Sequence, residues 1–324
     1  MIALFNPDND MALADFTPGY TPPRIIRQMM DELAPLAHIW GDGPWGWSPA
    51  ACHRLQRMGV PACELPNQEQ LRTLRRLSSR ETAVKLLHDI RRDIPTDTCG
   101  ESVFCTSEKD VQTALSRWQK TILKAPWSSS GKGIRFGQGE REDTLANWTR
   151  NLLQTQGGVV VEKLLDKDSD LAMEFYSDGN GHISYQGLSL FTTHPNGAYR
   201  GNIIASEDTK MRWLTSRISP HLVEQVKEWL CLHLAGEIGL AYKGYLGVDM
   251  LIARPETPAQ PLMLCPLIEV NLRLTMGMLA IMLQPRLPQD IQGEFRVEYA
   301  PGQPLPQGAV MLAGGEHYRA YYTF

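Results

Sequence analysis

Residues Pro266–Leu274 read Pro-Leu-Ile-Glu-Val-Asn-Leu-Arg-Leu. Side chains of a strand alternate between its two faces. Ile268, Val270, Leu272 and Leu274 therefore share one face, and Glu269, Asn271 and Arg273 share the other. An acid, an amide and a guanidinium ranged along an otherwise apolar strand are costly unless each has a partner. Carboxylate and amide oxygens suit a hard cation such as Mg²⁺. The guanidinium two residues on suits bidentate binding of a phosphate or a carboxylate. Taken alone, the strand fits a solvated outer face with a Glu–Arg pair equally well.

Asp249 narrows the choice. It lies in Gly-Val-Asp-Met-Leu-Ile, an apolar run separated by a Pro-rich turn at 255–261 from the strand at 263–274, and the two read as a hairpin. Cross-strand neighbours come within about 5 Å, so Asp249 can supply a second carboxylate to the same site. Two carboxylates and an amide oxygen fit a divalent ion that keeps waters and bridges phosphates.

Two further segments bear on phosphates and on a flat heterocycle. Ile122–Phe136 ends a strand at Lys124 and continues into a loop of small residues, Ser128, Ser129, Ser130, Gly131, Lys132 and Gly133. Such a loop leaves backbone N–H groups free to approach phosphate oxygens, and the two lysines add positive charge. A P-loop is excluded, because Pro126 stands where its first glycine belongs and Gly133 replaces the Ser or Thr. The dinucleotide fingerprint fails for want of a third small residue at the right spacing. Val159–Leu165, Val-Val-Val-Glu-Lys-Leu-Leu, reads as a buried strand from which Glu162 and Lys163 emerge. Its end can offer backbone donors and acceptors to a heterocycle beside an apolar wall, and Asp170 can reach sugar hydroxyls. A mobile solvent loop and a charged strand end are the plainer readings of each segment taken singly.

The chain has 324 residues, 43% hydrophobic and 21% charged, the balance of a globular protein of roughly two domains or one multi-lobed domain. A net charge of -4 gives no general drive toward nucleic acid or an anionic membrane. No apolar run reaches the roughly 20 residues that span a bilayer. The start, Met1 to Asp10, lacks the features of a signal peptide. Six cysteines without a C-x-x-C pair exclude a zinc ribbon or disulfide framework and point to reduced thiols in a cytoplasmic protein. Periodicity and turn residues predict a strand at 1–5, helices at 24–36, 69–77 and 142–154, a helix capped by Ser78, and another starting at Ser107. They further predict strands at 121–124, 158–162, 171–176, 183–191, 199–205, 247–253 and 263–274, a helix at 220–237, and a last strand pair after 308.

The order of these features, Arg80 at a helix start, then Lys124, the small-residue loop, Val-Val-Val-Glu-Lys-Leu-Leu, Gly-Val-Asp and Glu-x-Asn-x-Arg, resembles the ATP-grasp superfamily over roughly residues 78–280. The resemblance implies an α/β (α+β) chain with a small N-terminal αβ lobe at 1–77, a central subdomain at 78–165 and a C-terminal subdomain at 166–324, the latter two clasping the nucleotide. It implies that Arg80 and Lys124 contact ATP phosphates and that residues 128–133 close over them. Glu162, Lys163 and Leu165 would hold adenine, and Asp170 the ribose. Asp249, Glu269 and Asn271 would bind Mg²⁺, with Mn²⁺ as an alternative, and Arg273 would stabilise the transferred phosphoryl group. Arg80 departs from the Lys of many members but keeps the charge.

The activity so implied is that of a carboxylate–amine ligase, with small-molecule substrates and an acyl phosphate between them. A small-molecule kinase and a non-catalytic nucleotide-binding protein are the alternatives, and self-association is left open. In the hairpin His194–Asn202, Tyr199 and Arg200 are candidates to face the transfer centre, Arg200 to hold a carboxylate. Asn6, Asp8, Asn9 and Asp10 read more simply as an Asx-rich turn than as substrate contacts.

Overall fold

The computed structural model describes residues 2–128, 133–138, 142–194, 198–257, 259–287 and 292–324. The strands within them form two antiparallel sheets. The smaller holds β1 (Ser102–Cys105), β2 (Thr121–Lys124), β3 (Ile134–Phe136) and β4 (Val159–Lys163) in the order β1-β4-β2-β3. Val159, Val160 and Val161 are all fully buried, as a central strand covered on both faces requires. Helices Glu108–Arg117 and Glu142–Thr155 pack against this sheet, and helix Arg80–Asp93 lies against β1, β4 and the second sheet.

The second sheet contains β5 (Asp166–Asp178), β6 (Ile183–Thr193), β7 (Tyr199–Ile204), β8 (Lys243–Arg254), β9 (Met263–Asn271), β10 (Gly293–Tyr299), β11 (Val310–Gly314) and β12 (Tyr318–Thr323). Their order is β11-β12-β10-β7-β6-β5-β8-β9. Alternation in β5 explains its layering. Leu171, Met173 and Phe175 join the core formed with helix Pro220–Ile238, while Ala172 and Glu174 turn to the opposite face. There the apolar helix Met276–Leu283 crosses under β5, β6, β7 and β8 and packs with Phe5, Leu33 and Trp45 of the N-terminal segment.

Most predicted elements form, and the exceptions have local causes. Residues 2–5 make no strand; Leu4 forms an isolated bridge with Pro44, whose missing N–H cannot extend a ladder. The helix expected over 24–36 is α-helical over Arg24–Glu32 and gives way to a 3-10 turn at Ala34–Leu36, where Pro35 cannot donate to the preceding turn. Ser79, not Ser78, caps helix Arg80–Asp93, accepting from the Glu81 N–H at 3.2 Å. β9 stops at Asn271 rather than 274, because the Leu274 N–H leaves the sheet to donate to the Trp45 carbonyl. The C-terminal pair is a set of three strands once β10 is included. Helices Pro49–Arg57, Glu207–Thr215 and Met276–Leu283 were not anticipated, although Ser48, Ser206 and Thr275 cap them by accepting a backbone N–H. No helix among the described residues is long and apolar enough to cross a membrane.

Candidate active site

Register builds the centre of the site. Asp249 on β8 stands opposite Glu269 on β9, and Gly247 opposite Asn271. On the other side of β8, Ala172 of β5 stands opposite Asp249, and Glu174 opposite Gly247. Directly paired residues share a face. Glu269, Asp249, Asn271 and Glu174 therefore project from one side of the sheet. Burial and the facing Glu269 push the Asp249 carboxyl up to about 7, against the pull of an Asn271 hydrogen bond and of Arg273. Two carboxylates brought this close favour a cation between them.

Arg80 holds the Glu269 carboxylate of this pair. Its Nη2 lies 2.7 and 2.8 Å from the two Glu269 oxygens, and its Nη1 donates to the Ala125 carbonyl at 2.6 Å and to Ser128 Oγ at 2.8 Å. The same residue thus ties the start of the small-residue loop to the acidic face. Gly133 closes the loop's other end, its carbonyl accepting from the Ala125 N–H at 2.8 Å. A Cβ there would run into the Ser128 side chain, so glycine is required by close approach. Ser129, Ser130, Gly131 and Lys132 lie outside the described residues, as does the Asn196-Gly197 turn.

The remaining candidates are distributed less tightly. Lys124, at the end of β2, is 6% exposed and pairs with Glu162 across the small sheet at 2.7 Å. Lys163 pairs with the exposed Glu256 at 2.9 Å, and Leu165 packs on the edge of the main core. Asp170 is held by Lys167 at 2.6 Å and by the Thr193 hydroxyl at 2.8 Å. Arg273 donates three hydrogen bonds to Asp10, the shortest 2.9 Å, and one of 2.8 Å to Asn271 Oδ1. Facing acids, Asp10 first among them, raise its pKa despite burial. The Asn6 carbonyl makes the turn, accepting from the Asn9 N–H at 3.2 Å, while its side chain donates to the distant Gly46 carbonyl at 2.9 Å. Asp8 and Asp10 go further and reach the site.

Part of this set borders a cleft of about 970 Å³. Asp8, Arg80, Ser128, Asp249, Glu269, Asn271 and Arg273 line it, together with Tyr199 and Arg200 of β7 and Arg296 to Tyr299 of β10. Arg200 is exposed and has no hydrogen-bond or ion-pair partner among the described residues, whereas the Tyr199 hydroxyl donates to Asn202 Oδ1 at 2.6 Å. Lys124, Glu162, Lys163, Leu165 and Asp170 fall outside the lining of this cleft. Glu174 is the residue that sequence reasoning missed. It is 1% exposed, accepts from Thr275 Oγ1 at 2.7 Å, and is pushed up to about 8 by burial. An acid on the cleft face of the apolar run Leu171–Tyr176 was the available signal.

The donor set fits a hard divalent cation in part. Asp249 and Glu269 supply two carboxylates on one face, while Asn271 turns its amide oxygen to Arg273. Among the described residues no group of three or more His, Cys, Asp or Glu side chains could hold a metal, so the remaining ligands would have to be waters or phosphate oxygens.

No family model matches the chain, and no curated protein matches it. Solved structures do. N5-carboxyaminoimidazole ribonucleotide synthetase from Thermus thermophilus matches with a TM-score of 0.52 and 15% identity, over 100% of this chain and 93% of that one. Biotin carboxylase from Campylobacter jejuni, in a beta-gamma-ATP complex, matches with a TM-score of 0.51 and 12% identity, over 78% of this chain and 63% of that one. Rhizobium etli pyruvate carboxylase matches with a TM-score of 0.52 and 14% identity over 91% of this chain, which spans 30% of that longer protein. The likeness to all three is one of fold.

Proposed function

We propose, from the ATP-grasp fold that this chain has, that it is an ATP-dependent ligase joining a carboxylate to an amine. The observation that carries the reading is the facing pair Asp249 and Glu269, set on the wall of a cleft that also takes in Arg80, Ser128 and Arg273. A face so arranged concentrates acidic and guanidinium groups where a triphosphate and its counter-ion would meet.

In this reading a carboxylate oxygen of the substrate attacks the γ-phosphorus of ATP. The bond from that phosphorus to the β–γ bridging oxygen breaks, ADP leaves and an acyl phosphate forms. The amine nitrogen then attacks the acyl carbon, loses a proton and expels phosphate. Arg80 and Lys124 bind phosphate oxygens, and Arg273, held in place by Asp10, stabilises the charge that develops on transfer. Glu162, Lys163 and Leu165 border adenine and Asp170 the ribose. Arg200, unpaired on β7, holds the substrate carboxylate. Asp249 and Glu269, with Asn271 beside them, would hold Mg²⁺, which when bound offsets charge on the phosphates.

The test is a screen of amino acids and short peptides, with MgATP, for phosphate release, followed by mass spectrometry. Amine-dependent phosphate release with a new amide supports the ligase. A stable phosphorylated substrate would replace this reading with a kinase, and MgATP binding without turnover on any substrate would replace it with a nucleotide-binding protein.

A further inference from the structure

Buried polar atoms in a folded protein are almost always hydrogen-bonded, so those left without a partner ask for one from outside the chain. Among the described residues three such atoms belong to side chains that line the cleft: Arg80 Nε, Glu174 Oε2 and Asp8 Oδ1. Arg80 already serves the phosphate end. Glu174 Oε2 abuts Gly247, where even a Cβ would sit 2.7 Å away, so it is closed in. Asp8 is different. It is 2% exposed, Arg54 Nη2 occupies its Oδ2 at 3.3 Å, and its Oδ1 is buried without a partner in a residue that lines the cleft.

The surroundings of that oxygen are specific. The Tyr20 hydroxyl is a second buried atom without a partner among the described residues, and burial first, then the charge of Asp8, push its pKa up to about 12. Met11, Ile25, Ile26 and Met29 line the cleft along the same N-terminal segment. Helix Arg24–Glu32, which carries three of them, buries none of its residues fully; Met29 packs on the neighbouring core while Ile25 stays exposed. Asp10, two residues on, grips Arg273 and so fixes this wall beside the transfer centre.

Burial raises the Asp8 pKa against the pull of Arg54; in its ionised form Oδ1 accepts and cannot donate, so its missing partner is an N–H or O–H group. Among the substrates of the proposed ligase the amine is the one without a site, and the inference that follows rests on that reading. We infer that Asp8 Oδ1 receives the ammonium group of the amine substrate, whose apolar body lies along Met11, Ile25, Ile26 and Met29. A charge-assisted hydrogen bond is worth roughly 1.5–3 kcal/mol, or about ten- to a hundredfold in affinity.

The experiment measures binding without turnover, by calorimetry on the full chain loaded with Mg²⁺ and a non-hydrolysable ATP analogue. The probes are L-leucinamide, n-hexylamine, glycinamide and N-acetyl-leucinamide. L-Leucinamide and hexylamine are expected to bind, glycinamide to bind at least about tenfold more weakly for lack of an apolar body, and the acetylated compound not to bind. Asp8→Asn, which is isosteric, should weaken leucinamide by at least about tenfold. Wild-type affinity for the ATP analogue serves as the folding control in this variant. Equal binding of the acetylated and free amines, full leucinamide affinity in Asp8→Asn, or no binding of any probe to the wild type would overturn the site. A water satisfying Asp8 would give one of these results, since it does not distinguish an amine from its amide. Probe binding as expected, with no phosphate release on any carboxylate, would sink the ligase reading and leave the amine site standing. Amine-dependent turnover with an unchanged amine KM in Asp8→Asn would do the reverse.

Discussion

Glu174 accepts one hydrogen bond, from Thr275, and its second oxygen has no partner among the described residues. Burial moves its pKa from 4.5 to about 8, so the folded chain holds the proton more tightly than the unfolded chain does. The stability this group contributes is therefore full below about 4.5, declines as pH rises, and is lost above about 8. Asp249, moved from 3.8 to about 7, acts in the same direction in an overlapping window. Glu174→Gln should remove up to one proton from the pH slope of the unfolding free energy between pH 5 and 8. Urea midpoints read across that range check this, and an unchanged slope would show that Glu174 is ionised in the folded state. Glu269→Gln should abolish Mg²⁺-dependent turnover. It should also cost about 1–3 kcal/mol of stability, because the buried Arg80 loses a charged acceptor. If both turnover and melting temperature are unchanged, the acidic pair has no role at the site.

The start of helix Met276–Leu283 sits under Glu174, and Gly277 makes that contact fit. A Cβ at Gly277 would collide with Glu174 Oε1 and with Ser189 Oγ. Alanine is the better helix former by about 1 kcal/mol, while forcing an atom into a packed interior costs about 1–3 kcal/mol. The clash wins here, because both neighbours are buried and Ser189 Oγ is held by Asn202. Gly277→Ala should therefore lower stability by about 1 kcal/mol or more in a urea titration; a stabilised variant would show that this helix can shift. At this scale the sequence was readable where periodicity was strict. The alternation in Ile268–Asn271 and the apolar run around Asp249 predict both strands, and their reading as a hairpin predicts the shared face. It did not show where β9 ends, because that depends on the Trp45 carbonyl capturing the Leu274 N–H. Nor did it reveal Glu174, whose strand reads as apolar core until the opposite face is known to line a cleft.

Across the whole molecule, residues distant in sequence assemble the site, and this is what a single sequence could not show. Asp10 and Arg273 are brought together by packing of the N-terminal segment on helix Met276–Leu283. The turn reading of Asn6 to Asp10 holds for the backbone, through the Asn6 carbonyl, but the side chains of Asn6, Asp8 and Asp10 bond to Gly46, Arg54 and Arg273 instead. If this tie fixes the N-terminal wall, Arg273→Ala should raise amide exchange around residues 8–20 several-fold while leaving β5 and β8 protected. Equal exchange in wild type and variant would mean that packing alone holds the wall. MgATP at a hundred times its Kd should stabilise the full chain by about 2.7 kcal/mol, and no rise in melting temperature would count against nucleotide binding.

The sheet order has a further consequence for how the protein is made. Ile204 at the end of β7 pairs with Gly293 at the start of β10, and helix Met276–Leu283 must pass beneath the sheet before that partner arrives. During synthesis β7 therefore emerges as an open margin with its backbone groups unsatisfied, and stays so until the carboxy-terminal strands leave the ribosome. A message truncated before β10 would release a chain prone to pair with its neighbours.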